Sequence, residues 1–261
     1  MEQVTSADGT AIAYARSGDG PALILVHGTG VDRHVWDDVI PRLSESFTVF
    51  AVDRRGRGES GDAEAYGIER EFADVVALAD SIDGPVNLLG HSYGAICAIG
   101  AAPRLSALRR LVLYEPPIWR GDGPSSRPPE QRRMAEQADR GDHEAILETY
   151  WTEIREAPDR FDRLRSRSDY DRRVDMAHTF PREMDGRRAF RPTPESYPHV
   201  DAPTMLLNGS ETPDAIKRST AVAANLFPEP RSVEFDGHGH AAMNTAPERF
   251  VSEVVDFLTD G

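Results

Sequence analysis

The chain has 261 residues, enough for one α/β domain with a single core and a modest insertion. Its 44 acidic and 30 basic side chains leave a formal charge of −14, which argues against nucleic acid or an anionic membrane surface as partner. Hydrophobic residues make up 39% and charged residues 28%, the balance of a globular chain, and no apolar run approaches the ~20 residues of a membrane span. Residues 1–5 lack the basic-then-apolar pattern of a secretory signal, so the expected location is the cytoplasm. Cys97 is the only cysteine, which leaves no disulfide framework and no cysteine-rich zinc site. Of the basic residues only Lys217 is a lysine, a bias that fits either a high-salt habitat or a GC-rich genome.

Residues 3–6 and 12–16 alternate in polarity and read as a hairpin turned at Asp8-Gly9. Short apolar runs at 22–26, 47–52, 86–89 and 111–114 suit strands buried on both faces. Helical spacing lies between them, at 35–43, 69–82 and 93–102. The alternation breaks after Pro117. Residues 121–129 read as a loop, and 130–140 and 143–155 as helices with no clear strand near them. Alternation resumes with a strand at 204–207, a helix at 214–226, a strand at 232–235 and a helix at 247–258. The expected fold is a mainly parallel α/β sheet flanked by helices. Its core would span 1–116 and 199–261, and a helical insertion 117–198.

The chemistry centres on Gly90-His91-Ser92-Tyr93-Gly94. A Gly-x-Ser-x-Gly run by itself is a weak signal, but this one leaves a strand and opens a helix, as a strained strand–turn–helix nucleophile turn requires. Glycines on both sides let the strand and helix backbones approach, and the helix N-terminus favours the negative charge that acyl transfer develops at Ser92. His27-Gly28-Thr29-Gly30 follows the 22–26 strand. The backbone N–H groups of Thr29 and Tyr93 are therefore the expected oxyanion donors. His27 either borders the pocket or holds this loop through hydrogen bonds, and the second reading is preferred. A hydroxyl also needs a base. His238 and His240, in Gly237-His238-Gly239-His240, both qualify, and spacing does not separate them.

In order along the chain, His27-Gly28, Asp53-Arg54-Arg55-Gly56-Arg57-Gly58-Glu59-Ser60, the Ser92 run and the late Gly-x-Gly-His run resemble the α/β-hydrolase superfamily. The combination is specific for the fold and weakly specific for substrate. The resemblance implies His240 as the base and a cap between Pro116 and about Pro198. It departs at the acid. The family's Gly-x-x-Asp stretch is here Gly209-Ser210-Glu211-Thr212, with threonine at the acid position and Glu211 and Asp214 out of register. Some branches place a glutamate after the preceding strand instead, which implies Glu115, with Glu211 and Asp214 as alternatives.

The expected activity is hydrolysis of an ester, thioester or lactone of a small molecule through an acyl-enzyme, with no metal and no cofactor. A serine nucleophile argues against epoxide hydrolases and haloalkane dehalogenases, which resemble the family but use aspartate. A carbon–carbon bond hydrolase or lyase and a cofactor-free perhydrolase need the same three residues and remain alternatives. A non-catalytic ligand receptor on this scaffold is the alternative of another class. Trp119, His178 and Phe180 are expected to border the substrate pocket. Arg182 and Glu183 beside them suit either the pocket or surface ion pairs.

Overall fold

Leu23 and Leu25 pack into one apolar core, while Ile24 and Val26 between them pack into another. Their run is a strand because alternate side chains enter opposite faces of a sheet buried on both sides. In the computed structural model, which describes residues 1–118, 126–196 and 200–260, the strands are β1 Glu2–Thr5, β2 Ala11–Ser17, β3 Ala22–Val26, β4 Thr48–Val52, β5 Val86–His91, β6 Leu108–Tyr114, β7 Thr204–Gly209 and β8 Arg231–Phe235. They form one eight-stranded sheet in the order β1-β2-β4-β3-β5-β6-β7-β8. β1 and β2 run antiparallel to their neighbours, and the pairings from β4 through β8 are parallel.

The helices are α1 Ile40–Leu43, α2 Ile68–Asp80, α3 Tyr93–Ala101, α4 Pro129–Asp139, α5 His143–Thr149, α6 Pro158–Arg165, α7 Tyr170–Asp175, α8 Phe180–Ala189, α9 Asp214–Ala224, α10 Ala242–Thr245 and α11 Pro247–Thr259. Residues of α2, α3 and α9 join one core, and residues of α1 and α11 the other. Helices α4 to α8 all fall between β6 and β7 and have a small core of their own, built on Met134, Leu147, Phe161 and Phe180. Among the described residues no helix is long and apolar enough to cross a membrane.

Two helical expectations change in detail. Residues 35–43 are a 3-10 turn, Arg33–Trp36, and then α1. Pro41 in the first turn of α1 has no N–H to continue an earlier helix, so a new one starts there. The 143–155 helix becomes α5 followed by a π turn over Tyr150–Ile154.

The chain runs from β3 outward to β4 and then crosses to β5 on the other side of β3. In an open α/β sheet such a switch leaves a crevice at the carboxyl ends of the strands, where ligands bind. The loops after β3, β5, β6, β7 and β8 all leave from that edge, and they carry Thr29, Ser92, Glu115, Thr212 and His240.

Candidate active site

Ser92 sits between β5 and α3 with φ +54° and ψ −121°, a backbone state that costs a non-glycine residue about 1–3 kcal/mol. Packing holds it there. A Cβ on Gly94 would run into the carbonyl oxygens of Val26 and His27, and one on Gly90 into Ala95. Only glycine lets β5, α3 and the end of β3 close up in this way. The Ser92 N–H donates to Tyr114 O on β6 at 2.8 Å. Serine at a helix N-cap often satisfies a backbone amide, but the Ser92 hydroxyl makes no such bond, which leaves Oγ at the cavity. The first N–H groups of α3 have no partner within the helix and point to the same end.

His240 Nδ1 is hydrogen-bonded to Oε2 of Glu115. Glu115 has no exposed surface and lies directly after β6 with φ +48°. Its other oxygen, Oε1, accepts from Gly209 N at 2.7 Å and from Thr212 Oγ1 at 2.6 Å. Three partners thus fix a buried carboxylate against the imidazole. Thr212 stands where the family pattern puts the acid, and here it donates a hydrogen bond to the carboxylate that faces His240. Tyr114 clamps the His240 loop, its hydroxyl donating to Gly239 O and accepting from Ala242 N at 2.9 Å. Glu211 and Asp214 are exposed, and the structure brings Glu115 rather than either of them to His240. His238 turns elsewhere, with Nδ1 2.9 Å from Thr245 Oγ1.

His27 does not border the cavity, contrary to the first of its two sequence readings. It is fully buried, and both ring nitrogens are in use: Nδ1–H donates to Gly28 O at 2.9 Å and Nε2 accepts from Arg54 N at 3.1 Å. The ring therefore ties the Gly28–Thr29 loop to the loop after β4. Arg54 adds to this through Nη1, which donates to Gly28 O at 3.2 Å. The same guanidinium lies over the Tyr93 ring, 4.5 Å from its centroid, and is held by both oxygens of Glu71 at 2.7 and 2.8 Å.

A second carboxylate reaches this arginine from α8. Glu183 Oε1 lies 2.6 Å from Arg54 Nη2 and also pairs with Arg57. Arg54, Arg57, Glu71 and Glu183 are all at least 97% buried and balance two charges against two. Glu183 is thus neither a pocket residue nor a surface ion pair. Burial pushes the Glu71 carboxyl up, but Arg54 and Arg57 outweigh it and hold it at about 2.

His91 packs against His240 with ring centroids 4.6 Å apart and the planes tilted by 47°, and its Nε2–H donates to His240 O at 2.8 Å. Burial, together with the neighbouring His240, holds His91 well below the ordinary histidine range; burial and the nearby Arg54 do the same for His27. Both rings fold uncharged, whereas in the unfolded chain they titrate near 6.5. Below that pH the unfolded state binds protons that the folded state refuses. Stability is therefore complete above about pH 6.5 and is lost as the pH falls, by up to ~2.7 kcal/mol per unit for the two rings together. Glu71, depressed from 4.5, adds a further loss below that value. Urea midpoints measured at pH 8, 6 and 5 are expected to fall in that order, and an unchanged midpoint would contradict the account.

Ser92, His240, Thr29 and Phe180 border one cavity of about 610 Å³. His178 does not reach it. That ring borders a separate cavity of about 460 Å³ and lies 3.6 Å from Asp62, because its Nδ1 is turned to Asp175 O at 2.8 Å. Trp119 lies outside the described residues. Sequence reasoning missed the supporting roles of Thr212, Tyr114, His91 and Glu183. The one signal for Glu183 was the cluster of three arginines in Arg54-Arg55-Gly56-Arg57, which burial obliges to find carboxylates.

Residues 23–253 match the model of the alpha/beta hydrolase family. An N-formylmaleamate deformylase of Pseudomonas putida is 41% identical over 127 residues, 47% of this chain and 46% of that protein. A pimeloyl-(acyl-carrier protein) methyl ester esterase of Neisseria meningitidis is 42% identical over 80 residues, 31% of this chain and 25% of that protein. The matched stretches therefore span less than half the length of these two relatives. Among solved structures, an alpha/beta hydrolase from Sphaerobacter thermophilus superposes with a TM-score of 0.86 at 29% identity, covering 99% of this chain and 100% of that one.

Proposed function

The chain belongs to the alpha/beta hydrolase family, and on that footing we propose that it is a serine hydrolase that cleaves a carboxylic ester, thioester or lactone through an acyl-enzyme. The supporting observation is the convergence of the strained Ser92 turn with a His240 whose Nδ1 is held by the buried Glu115. Ser92 Oγ attacks the carbonyl carbon as His240 Nε2 takes its proton. The N–H groups of Thr29 and Tyr93 receive the oxyanion; an oxyanion-hole donor contributes about 3 kcal/mol to lowering the barrier. His240 then hands the proton to the leaving group. Water attacks the acyl-enzyme and gives a proton to His240, which returns it to Ser92 Oγ as the acid leaves. Glu115 keeps the Nδ1 proton in place and stabilises the imidazolium.

The helices between β6 and β7 act as the cap that shapes the acyl pocket, with Phe180 among their contributions. Similarity to a deformylase supports a second acyl class, an N-formyl amide, cleaved by the same steps with His240 protonating the departing nitrogen.

A fluorophosphonate probe tests the reading. It is expected to add one label, on the peptide carrying Ser92, and to abolish turnover of p-nitrophenyl acetate in proportion to labelling, while Ser92→Ala takes no label. Full turnover in the Ser92→Ala protein, or labelling at another residue, would overturn the assignment.

A further inference from the structure

The cavity that holds Ser92 and His240 has a positively charged wall in a chain whose net charge is −14. Five arginines border it, and three of them have an acidic partner, with two acids between the three. Arg167 and Arg173 share Asp169, and Arg172 pairs with the buried Asp32 at 3.1 Å. Arg155 and Arg160 have no acidic partner among the described residues. Asp37 and Asp38 also border it, hydrogen-bonded to His34 at 3.0 Å and to Asn244 at 3.2 Å, and with Asp169 they make three carboxylates against the five arginines.

The backbone around Arg155 is unusual. The π turn of Tyr150–Ile154 ends on Arg155, whose N–H donates to Tyr150 O at 2.9 Å. Glu156 follows at φ +49°, outside the range most side chains adopt. Such turns and such strain gather at functional sites, and here they bring half-buried Arg155 to the cavity beside Tyr150 and Trp151.

We propose that Arg155 and Arg160 form an anion subsite, and that the substrate is a small acyl compound bearing a second, unreacting carboxylate. This rests on the reading of Ser92 as nucleophile. Ser92 attacks the neutral carbonyl while the distal carboxylate takes guanidinium N–H bonds from Arg155, with Arg160 at the rim. A guanidinium fork fits a carboxylate through two parallel hydrogen bonds, and Tyr150, Trp151 and Leu164 enclose the short chain between the two ends.

The test compares the mono-p-nitrophenyl ester of succinic acid with its methyl-capped, uncharged counterpart. In the unaltered protein kcat/KM for the charged ester is expected to exceed that for the capped one by on the order of tenfold or more. Arg155→Gln and Arg160→Gln together should erase most of that ratio, mainly through KM, and Arg160→Glu, at an exposed position, should invert it. Raising salt should shrink the ratio in the unaltered protein, since a rim charge is screened. A ratio near one, or a ratio that the substitutions leave within about twofold, overturns the subsite. Turnover of neither ester, without fluorophosphonate labelling, would instead strike the serine-hydrolase reading itself.

Discussion

Glu115→Gln is expected to lower kcat by about four orders of magnitude, with little change in KM for the same ester. Glutamine keeps the size of the side chain, and its carbonyl oxygen still accepts from Gly209 N and Thr212 Oγ1. Its –NH2 then faces His240 Nδ1. Two donors cannot share that contact, so the ring takes its proton on Nε2, the atom that has to accept from Ser92. The opposite amide orientation sets –NH2 against the Gly209 N–H and destabilises the buried site. Thr212→Val removes one of the carboxylate's three partners and should cost far less, on the order of tenfold, with Thr212→Ser restoring activity. Steady-state kinetics on p-nitrophenyl acetate read both effects. A Glu115→Gln enzyme within tenfold of the parent would show that another group orients His240.

Glu183→Ala is expected to be the most damaging single change to stability among the charged residues. It leaves Arg54 and Arg57 buried with only Glu71 between them. Breaking a buried ion pair from one side costs about 3–5 kcal/mol, because the remaining charge has lost both water and partner. For a chain of this size that corresponds to a fall in Tm of about 10 °C. Glu183→Gln, which can still accept from one arginine, should fall between. Thermal unfolding followed by circular dichroism measures this. A shift of about 2 °C or less for Glu183→Ala would mean that water or another group compensates the two arginines.

The parts of this molecule that could be read from its sequence are those written locally. A short apolar run followed by Gly-His-Ser-Tyr-Gly contains its own strand, turn and helix start, so Ser92 and its elbow were readable without any partner. The late Gly-His-Gly-His run offered two histidines, and the resemblance to a family separated them. Glu115 came from that resemblance alone. What stayed hidden depends on contacts between distant stretches. Thr212 meets Glu115 across 97 residues, and Arg57 meets Glu183 across 126. No periodicity records such pairings. His178 illustrates the reverse error: a histidine clustered with Arg182 and Glu183 suggested a pocket, and a local bond to Asp175 O turned it toward a different cavity.

The pairing of Glu183 with Arg54 and Arg57 also bears on how the insertion is held. Helix α8 is fastened to the sheet by charges sealed from solvent. Helix α7 meets the loop after β3 through Arg172 to Asp32 and Arg173 to Gly30 O, and both of these arginines keep contact with water. Ions in solution compete with the second pair of contacts and not with the first. The helices between β6 and β7 are therefore held by salt-resistant contacts at α8 and salt-sensitive ones at α7, so rising ionic strength weakens the α7 attachment first.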